Sequence, residues 1–74
     1  MDNPVNSKKL LLSKWTSLTP QNKEKHHMVV KVTYDDNNPQ LLQSVTMEAV
    51  YNQRQWTMDW QELKNSNLWR PGWK

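Results

Sequence analysis

The 74-residue sequence predicts a mainly β domain (all-β or α+β): three or four short antiparallel strands as a meander or a small SH3-like barrel, with a short helical turn near the C-terminus. Three observations lead there. Apolar and polar residues alternate over His27 to Tyr34 and over Val45 to Tyr51, the two-residue period of a half-buried strand. Turn formers cluster between those segments, most densely in Asp35-Asp36-Asn37-Asn38-Pro39. Finally, hydrophobic residues make up only 35%, so five Trp and two Tyr must supply much of the core.

Taken in order, Met1 to Ser7 is polar and carries Asn3-Pro4, which predicts a flexible arm over residues 1–8 of a single domain spanning 1–74. Leu10 to Leu18 is expected to be a first strand, and Thr19-Pro20-Gln21-Asn22-Lys23 a loop. In the next strand, alternation sets Met28, Val30, Val32 and Tyr34 against Val29, Lys31 and Thr33. In the third it sets Val45, Met47, Ala49 and Tyr51 against Thr46, Glu48 and Val50. Asn52-Gln53 suits a tight hairpin link to Arg54–Met58, where Trp56 and Met58 share a face. Asp59, with Glu62 three residues on, reads as the cap of a brief helical turn. Pro71-Gly72 ends any continuation. Two closures follow: Trp60, Leu63, Trp69 and Trp73 fold over an open sheet, or Leu68 to Trp73 adds the last strand of a barrel.

A chain this short buries only about 60% of its unfolded surface, and without Cys it has no disulfide or thiolate site to compensate. Each Trp or Tyr ring buries roughly 150–250 Å², or about 4–6 kcal/mol gross at 25 cal/mol per Å². The bland role of the tryptophans is therefore the core. The longest apolar run is Leu10-Leu11-Leu12, too short for a secretory or membrane segment, and with the missing Cys it points to a cytoplasmic protein.

Function is read mainly by exclusion. No Ser is placed beside a base for nucleophilic catalysis, and Glu48, Asp59 and Glu62 have solvated or capping roles, so no enzyme is expected. His26 and His27 are neighbours on a strand and point to opposite faces, so no metal is expected; both are read as partly exposed. With Gly72 the only glycine, no phosphate-cradling loop and no cofactor are expected. What remains is a binding module. The net charge of +3 is uneven: residues 1–34 hold six Lys against Asp2 and Glu24. Lysines that interleave with aromatic rings suit single-stranded RNA or DNA, each stacked base contributing about 1–3 kcal/mol. The candidate face is Lys14, Trp15, Lys31 and Arg54. Against it, scattered Lys usually serves solubility, and Arg, the better stacking residue, occurs only twice. The alternative is a protein-interaction patch at Trp69, Arg70 and Trp73, for a partner or a second copy of the chain.

Asn3-Pro4, Lys9-Leu10-Leu11, Ser13-Lys14-Trp15-Thr16, Glu24-Lys25-His26, Glu48-Ala49-Val50, Trp60 with Glu62-Leu63-Lys64, and Trp69, Gly72 and Trp73 form a spaced pattern over nearly the whole chain. It resembles that of a family of small tryptophan-rich bacterial proteins of unknown function. The resemblance implies a free-standing bacterial protein and supplies no ligand or catalytic residue. His27-Met28 departs from the single His followed by a more apolar residue expected there, which weakens a metal role for His27 further.

Overall fold

In the computed structural model, which describes residues 3–73, the alternating segments become strands and the C-terminal segment adds one more. β1 (Lys14–Ser17), β2 (His26–Tyr34), β3 (Leu42–Ala49), β4 (Gln55–Asp59) and β5 (Trp69–Pro71) form one antiparallel sheet. Its order is β4-β3-β2-β1-β5. The first four strands are a meander, and β5 returns to the free edge of β1 with Ser17 opposite Trp69. The mainly antiparallel β class and the open-sheet alternative are as expected, but the strand count is five, with β4 and β5 as the edges. The SH3-like alternative falls because β5 hydrogen-bonds to β1 and does not close onto β4.

β1 is shorter than the expected strand over Leu10 to Leu18. Ser13 N–H bonds back to the Leu10 carbonyl at 2.9 Å and Leu12 sits at φ 66°, so the chain is still turning before Lys14. The helical turn is present as a 3₁₀ turn at Trp60–Lys64, with the Asp59 carboxylate accepting from Gln61 N–H at 2.9 Å. The hairpin between β3 and β4 is wider than two residues. It spans Val50 to Arg54, with Gln53 at φ 59° and its N–H on the Ala49 carbonyl.

Of the two shifts in the β2–β3 register, at Val29/Lys31 and at Thr33/Tyr34, the first has the larger consequence. On β3, Ala49, Met47 and Val45 alternate inward without a break. They oppose His27, Val29 and Val32 of β2, so Val30 is an extra residue, a β-bulge between Val29 and Lys31. The face expected to carry Met28, Val30, Val32 and Tyr34 is therefore split: ahead of the bulge the core takes His27 and Val29, and after it Val32.

Leu10, Trp15, Val29, Leu42, Val45, Met47, Leu63 and Trp69 form the core on this front face, with Val5, Trp56, Met58 and Trp60 packed against it. The segment expected as an arm is fastened from Asn3 onward. Asn3 N–H bonds the Lys64 carbonyl at 2.8 Å, and its side-chain amide bonds the carbonyls of Leu63 and Trp69 at 2.9 and 2.6 Å. The opposite, back face is left half-buried or exposed at nearly every position, Thr16 excepted. Among the described residues no helix is long and apolar enough to cross a membrane.

Candidate functional site

The front face ends in a pocket of about 210 Å³. Its floor is His27, only 2% exposed. β2 delivers this imidazole because it opposes Ala49, the smallest of the inward residues of β3. Trp56 of β4 and Trp69 of β5 flank it, their ring centroids 5.1 and 5.0 Å away and their planes nearly perpendicular to it. The two strands are the opposite edges of the sheet, so the sheet curls enough to bring both indoles to a central residue.

The loop between β1 and β2 and the hairpin between β3 and β4 supply the polar rim. Glu24 is 4% exposed, and its carboxylate accepts from Arg54 Nε at 2.9 and 3.0 Å and from the Nη2 nitrogen at 2.6 Å. Asn52 adds a longer contact at 3.3 Å. The Arg54 hydrogen bonds, chiefly, hold Glu24 below the usual carboxylate range, against the opposing effect of burial. Arg54 in turn lies over Trp56, 4.7 Å from the ring centroid. Ser17, Thr19 and Gln21 complete the lining.

The chemistry of His27 is set by its partners. Nδ1 lies 3.2 Å from the Lys25 carbonyl, which can only accept, so Nδ1 carries the proton and Nε2 is left as an acceptor. Burial pushes the imidazole below its ordinary pKa, more strongly than the Lys25 bond and the Glu24 charge raise it. Among the described residues Nε2 has no hydrogen-bond partner and no fully buried side-chain N or O lacks one, so Nε2 opens onto the pocket. A concavity of about 480 Å³ beside Lys8, Tyr34, Pro39 and Gln40 is larger, but of these Lys8, Tyr34, Pro39 and Gln40 are all exposed. Size alone does not make it a site.

The residues singled out from the sequence are not brought together. Trp15 is 3% exposed in the core, its indole N–H donated to Ser13 Oγ at 2.9 Å, so it offers no stacking surface. Arg54 lies on the front with its charge paired to Glu24. Lys14 and Lys31 are both on the back face, through Met28, Glu48 and Thr46 in the registers of β2 and β3. The second patch also divides: Trp69 is buried in the core, whereas Arg70 opposes Thr16 on the back. Trp73 is 41% exposed and is tied to the back face by its indole N–H on the His27 carbonyl at 2.9 Å. There the Lys14 ammonium stands 4.7 Å from its ring centroid and the His26 ring 6.0 Å away. Lys14, Lys31, Arg70 and Trp73 thus share a face that neither candidate set contained whole.

His27 and Glu24 were missed as site residues. The sequence leads to a partly exposed His27; in the strand it points inward and is buried, leaving only His26 half-exposed. The available signal was the His26-His27 doublet itself, since alternation must send one of the pair inward. Among the described residues no three His, Asp or Glu side chains gather as a metal site.

Fold and site together define a small open-sheet β domain with a buried-histidine pocket on one face and an uncovered, cation-flanked indole on the other. The chain belongs to the tryptophan-rich protein family DUF2389, whose pattern matches residues 13–74. No curated protein and no solved structure matches it.

Proposed function

We propose that this is a non-enzymatic binding module of the bacterial cytoplasm that takes single-stranded RNA or DNA on its back face. The observation that carries the reading is Trp73: a half-exposed indole, fixed to the sheet by its own N–H, with Lys14 against its ring and Arg70 and Lys31 on the same face. A sheet that presents an aromatic ring among cations can stack an unpaired base and neutralise its phosphates. The Lys14 ammonium must leave the ring when a base stacks there. That contact contributes about 0.5–1 kcal/mol at an exposed site, less than the roughly 1–3 kcal/mol of a stacked base. Lys14 is then free for a phosphate. Glu48 lies on the same face, but its carboxylate is held by Gln55 at 2.7 Å.

Salt dependence is the test. Three phosphate contacts on a single strand give a log–log slope of about −2, so affinity falls about twentyfold between 50 and 200 mM salt. Trp fluorescence titrated with mixed-sequence RNA and DNA oligonucleotides should show that loss, and Trp73→Ala should remove most of the binding. A flat titration, or saturable binding indifferent to salt, sinks the reading. A protein partner on the same face has weaker support, since Trp69, one of its two anchors, is buried.

A further inference from the structure

The pocket over His27 lies on the face opposite Trp73 and is not accounted for by strand binding there. It offers one acceptor, the open Nε2 of a side chain that is 2% exposed. It also offers a donor. Arg54 spends Nε and Nη2 on Glu24, and its Nη1 nitrogen has no hydrogen-bond partner among the described residues. The walls are the indoles of Trp56 and Trp69, which accommodate flat apolar faces.

These features select a ligand class. The Glu24 carboxylate already balances Arg54, so an anion meets that carboxylate and a cation must compete with a guanidinium for it. The favoured ligand is uncharged. A volume of about 210 Å³ is below the 300–1,000 Å³ of pockets for drug-sized molecules, so it is small. An imidazole acceptor and a guanidinium donor lining one pocket between aromatic walls suit a planar ring whose edge carries a donor beside an acceptor. We propose that this pocket binds a small, uncharged, planar heterocycle with an N–H beside a carbonyl, the N–H donated to His27 Nε2 and the carbonyl accepting from Arg54. The lactam edge of a free pyrimidine or purine base has this chemistry.

The probes are uracil and hypoxanthine, titrated into the full chain at pH 7.5 and followed by NMR of the His27 imidazole and of the Trp56 and Trp69 indole N–H groups. Both sets of signals should move saturably for at least one probe, while the Trp73 indole does not move. 1,3-Dimethyluracil keeps the ring and both carbonyls but has no N–H; it leaves Nε2 unpaired and should bind about tenfold more weakly or worse. This comparison uses the unaltered protein, so it does not depend on a His27 variant that folds. If neither base shifts the His27 and Trp signals, the pocket holds only water and the proposal fails. It fails equally if dimethyluracil binds as well as uracil. Loss of oligonucleotide binding in Trp73→Ala with uracil binding kept would place the two activities on separate faces.

Discussion

Leu63→Ala should remove a large part of the domain's stability, although it alters one residue of a five-residue turn. Leu63 is fully buried, and its turn is held at both ends. Asp59 caps the start, and the Asn3 amide bonds the Leu63 carbonyl itself, while Asn65 N–H closes onto the Glu62 carbonyl at 3.1 Å. A turn pinned this way cannot settle into the space left by the missing isobutyl group. The cost therefore belongs in the upper part of the range for buried Leu→Ala, about 3–5 kcal/mol. At 0.05–0.15 kcal/mol per residue, a domain of this length has roughly 4–11 kcal/mol in total. Each kcal/mol lowers Tm by about 4–8 °C at this size, so Tm should fall by about 12 °C at the least. Urea unfolding followed by Trp fluorescence and far-UV circular dichroism measures it. Leu68→Ala, at a position 36% exposed, is the control and should cost under about 1 kcal/mol. A loss below about 1 kcal/mol for Leu63→Ala, with the urea m-value unchanged, would refute the pinned-turn reasoning.

Other outcomes follow from single features. Leu12→Gly should leave stability unchanged or raise it by up to about 1 kcal/mol in thermal melts, because Leu12 holds φ 66° at 62% exposure and Gly relieves a left-handed strain of about 1–2 kcal/mol against its own entropy cost. Acid should destabilise in two stages. His27 has a folded pKa below its ordinary 6.5, so the unfolded chain binds the proton first and stability falls as pH drops from about 6.5 through the folded value. Glu24, lowered from 4.5, adds a second loss below that pH; urea midpoints measured from pH 8 to 3 should show both slopes, and a flat profile above pH 5 would count against a neutral buried His27. Arg54→Gln should raise the Glu24 pKa, read by carboxyl NMR titration, because the guanidinium hydrogen bonds that chiefly lower it are gone while its burial remains. Trp15→Ala should destabilise the fold strongly in urea, whereas Trp73→Ala should cost far less stability.

How far the sequence revealed the fold can be seen by comparing β2 with β3. Val45, Met47 and Ala49 keep a strict period of two, and every expected inward residue up to Ala49 is inward. Val29-Val30-Lys31-Val32 looks just as regular, and no Gly marks the bulge. Two β-branched residues in succession suit either parity, and only the partner strand decides between them. The Asp59 cap was legible because it is local, set by one side chain and an N–H two residues away. The Glu24–Arg54 pair was not, because its members lie 30 residues apart and meet only once the registers of two hairpins are fixed. The tryptophans show the same division. Their number announced an aromatic core, but which ring is core depends on pairing: Trp69 packs inward opposite Ser17, and Trp73, four residues on, lands on the other face.

The bulge at Val30 ties both faces to one residue of chain length. With His27 directed inward against Ala49, an unbroken strand would send Lys31 into the core beside Val45 and Met47 and turn Val32 outward. An ammonium in that apolar cluster would have no acceptor nearby to offset its desolvation. The extra residue reverses the parity halfway along β2, so Val32 packs on the core that His27 and Val29 began. The same reversal puts Lys31 on the back, on the side of the sheet that carries Lys14. A pocket that needs an inward imidazole and a back face that gains an outward lysine are thus served by one strand. A regular nine-residue strand meets only one of those demands.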